Sequence, residues 1–225
     1  MDSFQIFIET GKKRTFAGAV QWPGWCRSGR DENTALQTLL DYWPRYAQVL
    51  QGRAIEFQPP TQITDLVVIE RHAGNVSTDY GAPAMLLEAD REALDHGEFE
   101  HLRAILQACW RVFDAAVERA AGVELEKGPR GGGRDLDKII AHVIEADRAY
   151  LSRLAWKYRL AGAYDQIEEL SRSRQAVIAA LEVAVCQGLP EQGPRGGIIW
   201  PARYFIRRVA WHVLDHAWEI EDRIG

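Results

Sequence analysis

From about residue 93 to the end, apolar residues return every three or four positions in four separate stretches. No other feature restricts the chain as much. Leu102, Ile105, Leu106, Cys109 and Phe113 begin one stripe, and Leu136, Ile139, Ile140, Val143 and Ile144 a second. Ile167, Leu170, Val177, Leu181 and Val185 make a third, and Tyr204, Phe205, Val209, Val213, Leu214 and Ile220 a broader fourth. A surface helix with such a stripe must bury it against a partner. Four of them, each about 20 residues long, predict a four-helix bundle.

The first third follows another rule. Phe4, Ile6 and Ile8 recur at period 2, the pattern of a half-buried strand, with Phe7 blurring it. Glu9–Lys13 is a turn, Thr15–Trp22 a second strand, and Pro23-Gly24 ends the hairpin. A helix follows, capped by Ser28 or Asp31, with Pro44 predicting a break inside it. Leu66–Ile69 is apolar at consecutive positions, which predicts a central strand, and a further short strand is expected near Ile55–Phe57. The fold class is therefore α+β: a β-β-α-β unit over residues 1–75, a Gly- and Pro-bearing linker over 76–92, and the bundle over 93–225. Separate apolar patterns predict that the two halves come apart on limited proteolysis within 75–92.

Composition narrows the function. With 47% apolar and 26% charged residues among 225, the chain has material for a core and is neither disordered nor fibrous. Cys26, Cys109 and Cys186 lie far apart with no C-x-x-C pair, which fits free thiols in a reducing compartment. No uncharged run reaches a membrane span, and the N-terminus lacks the form of a signal peptide, so a cytoplasmic protein without a membrane partner is expected. The net charge is −5, and residues 1–58 carry seven cationic against six acidic side chains. Nucleic-acid binding needs clustered cations, so it is not expected.

Three histidines carry the chemistry. His212 and His216, in His-Val-Leu-Asp-His, stand one helical turn apart on one face. His142 lies within the apolar stripe of the second bundle helix, where a ring must be hydrogen-bonded or bound. At 1.5 Å rise per residue, His142 falls about 10 Å and the pair about 15–21 Å along their helices, so the three can meet at mid-bundle. Three imidazoles suit one divalent metal with an open position. Zinc or nickel are the first candidates, and iron also accepts such ligands. The competing reading is a set of hydrogen-bonded core histidines. Glu145, three residues after His142, is the candidate catalytic carboxylate, as an acceptor for a ligand ring or a base toward metal-bound water; an exposed helix carboxylate is the alternative. Asp215 and Glu219 carry the same ambiguity. His72, His96 and His101 are expected to be solvated. The loops Gly128–Gly132 and Gly193–Gly197 repeat Gly-Pro-Arg-Gly-Gly, either as flexible leaders or as backbone concavities for an anionic group.

Ile139–Tyr150 with His142, followed by a helix bearing His212-Val-Leu-Asp-His216, resembles the DinB/YfiT-like family over about residues 93–225. That resemblance implies a four-helix bundle holding a divalent metal on one histidine from its second helix and two from its fourth. Some members are transferases or isomerases that use low-molecular-weight thiols such as mycothiol or bacillithiol. Phe16–Gly24, Cys26–Gly29 and the helix with Ala35 are similar to the HicB-like fold, a small unit found in antitoxins; the likeness implies the fold of residues 1–75.

Two functions follow. One is a metal-dependent transferase or hydrolase on a small anionic or thiol-bearing substrate, with His142, His212 and His216 on the metal and Arg130, Arg134 or Arg195 holding the anionic end. The other is a non-catalytic HicB-like interaction or regulatory module joined to a structural or metal-sensing bundle. A homodimer is compatible with either.

Overall fold

The computed structural model describes residues 3–52, 55–127, 133–162, 165–193 and 196–224. Its N-terminal part is a four-stranded sheet of order β3-β2-β1-β4, built from β1 (Phe4–Thr10), β2 (Thr15–Ala19), β3 (Cys26–Gly29) and β4 (Leu66–Ala73). The hairpin is as expected: β1 and β2 run antiparallel, from Ile6 opposite Ala19 to Thr10 opposite Thr15. Phe7 breaks the alternation of β1 because both faces of that strand are covered. Phe4, Ile6 and Ile8 enter the main core, while Phe7 joins Phe16, Cys26, Leu87 and Trp211 in a second cluster on the other side.

Two strand expectations are corrected. Leu66–Ile69 belongs to β4, an edge strand parallel to β1 and not a central one. Leu66 is buried, but Val67 and Ile69 on the other face are more than 40% exposed, so the apolar run does not mean two covered faces. Ile55–Phe57 forms no strand; Phe57 instead packs its ring against Trp22, Trp25 and Tyr46.

Between the strands lie α1 (Glu32–Asp41) and α2 (Trp43–Leu50). Asp31 caps α1 by accepting from the Thr34 amide, and Pro44 stands in the first turn of α2, where its missing N–H costs nothing. The segment read as a linker contains α3 (Val76–Tyr80) and a 3₁₀ turn at Ala89–Arg91. It is pinned at both ends. The buried Glu9 carboxylate accepts from the Thr78 hydroxyl and the amides of Ala84 and Met85, and Asp90 forms a buried ion pair with Arg207.

The four long helices appear where the stripes place them: α4 (His96–Ala120), α5 (Leu136–Leu151), α6 (Gln166–Gln187) and α7 (Ala202–Glu221). Asp95, Asp135 and Asp165 cap the first three. The last, α7, lies between the other helices and the sheet and is buried on nearly every side. Phe16 meets Trp211 edge-on, Arg27 pairs with Asp215, and Arg45 pairs with Glu221 and Asp222. Gly24, with φ +94°, lets the β2–β3 turn come close; a Cβ there would stand 2.6 Å from Leu214 Cδ1. Among the described residues, no helix is long and apolar enough to cross a membrane.

Candidate metal centre

His142 comes from α5, and His212 and His216 from α7, at the heights helical rise assigns them. One ligand nitrogen from each lies within 4.8 Å of the other two. The ring centroids form a near-equilateral set, 5.1 Å for 142–212, 4.9 Å for 142–216 and 4.7 Å for 212–216. His212 and His216 are buried and His142 is half-buried.

Each ring's outward nitrogen can be assigned. His142 Nε2 and His212 Nε2 face each other at 3.1 Å. His216 Nδ1 lies 2.9 Å from Glu219 Oε2, leaving its Nε2 for the centre. A carboxylate only accepts, so Nδ1 of His216 carries the proton. Glu219 is itself fixed: Arg223 Nη1 donates to its Oε1 at 3.0 Å, and Arg223 Nε donates to the Glu126 carbonyl at 2.7 Å. This chain of groups is the support that orients a metal-binding imidazole.

The protonation states suit metal ligands. Burial first, then the charge of His216, holds His142 down to about 4. Burial, His216 and His142 hold His212 well below the ordinary histidine value. At neutral pH these rings are unprotonated, the form that ligates. The donor set therefore fits a divalent ion: three converging imidazoles, two of them held unprotonated and with Nε2 atoms separated by about the distance ligands at 2.0–2.1 Å subtend around one ion. Among the described residues, this is the one group of three or more histidine, cysteine or acidic side chains spaced for a metal.

The remaining candidates fall elsewhere. Glu145 is exposed, with Oε2 2.8 Å from Arg148 Nε; the carboxylate that meets a triad ring is Glu219. Asp215 pairs with Arg27 of β3 at 3.4 Å. Arg134 is exposed just before α5, and its charge contributes to lowering His142 and His212. Arg130 and Arg195 lie outside the described residues. His96 and His101 are exposed, whereas His72 is half-buried against Glu70.

One wall of the site was not anticipated. The Tyr150 ring lies 5.7 Å from His212 and 5.2 Å from Trp200. Arg208 stands over Tyr150 and Trp211, 5.8 and 5.0 Å from their centroids. Its four-residue spacing from His212 was the available signal. Comparison with protein-family models, curated proteins and solved structures finds no match to this chain.

Proposed function

We propose that the chain is a metal-dependent enzyme of the DinB/YfiT type, a thiol-dependent transferase or a hydrolase acting on a small anionic substrate. The observation that carries this reading is the convergence of His142, His212 and His216, with Glu219 turning His216 Nε2 inward. A divalent ion there, zinc or nickel first, supplies Lewis acidity that makes a bound thiol or water nucleophilic near neutral pH. The three rings hold the ion, Glu219 and Arg223 fix one of them, and the aromatic wall of Tyr150 and Trp200 limits access of water. Arg134, at the start of α5, adds positive potential for an anionic substrate.

The test is metal analysis of the purified protein beside His216→Ala, followed by cobalt substitution and addition of 2-mercaptoethanol. About one ion per chain is expected in the wild type and little in the variant. A sulfur-to-cobalt charge-transfer band should appear on adding the thiol. Absence of metal, or a cobalt spectrum indifferent both to the thiol and to azide as a competitor for bound water, overturns the enzymatic reading.

The second reading is a HicB-like interaction module whose bundle is structural or metal-sensing. It is favoured by one observation: the helix that supplies two of the three histidines also packs against the sheet through Trp211 and Asp215. A loaded site closed both to thiol and to azide selects it.

A further inference from the structure

We propose that Arg208 is the anion-binding residue of the histidine site, selecting small ligands that join a carboxylate or similar anionic group to an apolar or aromatic body. The inference rests on the metal-centre reading for the site's location. Residues 208, 212 and 216 recur at four-residue intervals on α7, so the guanidinium starts from the same helix face as the two histidines, one turn below them. It does not fold away toward solvent. It lies over Trp211 at 5.0 Å and over Tyr150 at 5.8 Å, and Tyr150 is the ring that flanks His212 at 5.7 Å.

The charge on Arg208 is uncompensated. Its neighbour Arg207 is paired with Asp90, Arg203 with Glu98, and Arg223 with Glu219. Arg208 has no carboxylate partner among the described residues. Its Nη1 donates to the Pro83 carbonyl, and its buried Nε has no hydrogen-bond partner among the described residues. A half-buried guanidinium without a counter-charge is costly, and a divalent ion on the adjacent histidines would add positive charge to the same wall. A ligand anion supplies what is missing, and a planar carboxylate matches the guanidinium fork. Tyr150 and Trp200, both half-buried, give the rest of such a ligand an aromatic surface. Arg134 is exposed and stays hydrated, which makes it a steering charge and leaves half-buried Arg208 as the contact.

The test is equilibrium binding of phenylacetate and its neutral isostere phenylacetamide, followed by tryptophan fluorescence, in metal-free and cobalt-loaded protein. The wild type should prefer the anion by about tenfold or more, the scale of a hydrogen bond to a charged group. Arg208→Gln should bring the two affinities within about twofold while leaving cobalt occupancy unchanged. Because Arg208 also holds Pro83, Arg208→Lys is the second variant. It keeps a cation in place and should retain at least about a threefold preference. No preference in the wild type, a preference that survives Arg208→Gln, or none in Arg208→Lys overturns the assignment. If cobalt does not bind, the metal reading fails, and the metal-free titration decides on Arg208 by the same criteria.

Discussion

Glu219 Oε2 and His216 Nδ1 meet at 2.9 Å, one turn apart on α7, and this contact decides which nitrogen of His216 faces the other two rings. The hydrogen bond from His216 is also the main cause that holds the Glu219 carboxyl below its usual range. Glu219→Ala removes the orienting acceptor and lets the ring rotate. Affinity for zinc, measured by competition with a chromophoric chelator, should fall by about 10–100-fold, while the metal-free fold is retained. Unchanged affinity would show that packing alone orients the ring.

Without metal, the triad should make stability pH-dependent. The folded protein keeps His142 unprotonated down to about 4 and holds His212 well below the ordinary histidine range, whereas the unfolded chain takes up protons near about 6.5. Stability is therefore fully present above the unfolded value and is lost as pH falls from there toward 4. The loss should reach about 1–2 kcal/mol, allowing for solvent around half-buried His142. Urea midpoints in EDTA between pH 4.5 and 7.5 measure it. His212→Gln should flatten the histidine component, read as the difference between wild-type and variant midpoints so that Asp147 cancels, and a difference that does not change with pH would refute the assignment.

Asp147 has the opposite sign. It is buried on α5, and burial raises its carboxyl to about 7 despite Arg174 and the Ser173 hydroxyl. Between about 4 and 7 the folded state holds a proton that the unfolded chain has released, so this group's contribution declines as pH rises through that window. Asp147→Asn keeps an acceptor for Ser173 and removes the charge. It should be more stable than wild type by about 1–3 kcal/mol above pH 7 and nearly equal below pH 4. Equal thermal unfolding at pH 8 would show that Arg174 already compensates the carboxylate.

Arg207 and Asp90 are both almost wholly buried, and Arg207 Nε donates to Asp90 Oδ1 at 3.2 Å. Asp90→Ala strands the guanidinium against Phe7 and should cost about 3–5 kcal/mol. Asp90→Ala with Arg207→Met should recover much of that loss, because no unpaired charge remains. Denaturant unfolding of both variants checks it, and a double variant no better than the single one would count against the argument.

The four long helices and the triad were legible because period 3.6 and the four-residue spacing of His212 and His216 are local signals. The role of Glu219 was not. Glu145 follows His142, and Glu219 follows His216, by the same three residues, so spacing ranks them equally. Burial separates them. On α5 that position points to solvent and Arg148, whereas α7 is enclosed and Arg223 holds Glu219 inward. The edge strand β3 was missed because Cys26-Arg-Ser-Gly29 has no apolar alternation. Its pairing with β2 comes from tertiary context, as β4's edge position does.

α7 is the one helix common to the triad and to the packing on the sheet. One face carries two imidazoles of the triad, and another carries Trp211 and Asp215 against Phe16 and Arg27 of the sheet. An ion that shifted this single stiff element on binding would shift its contact with the sheet as well. Reciprocity would then make the effect equal in both directions: any factor by which an ion on the triad strengthened or weakened a contact made by the sheet would be the factor by which that contact changed the affinity for the ion.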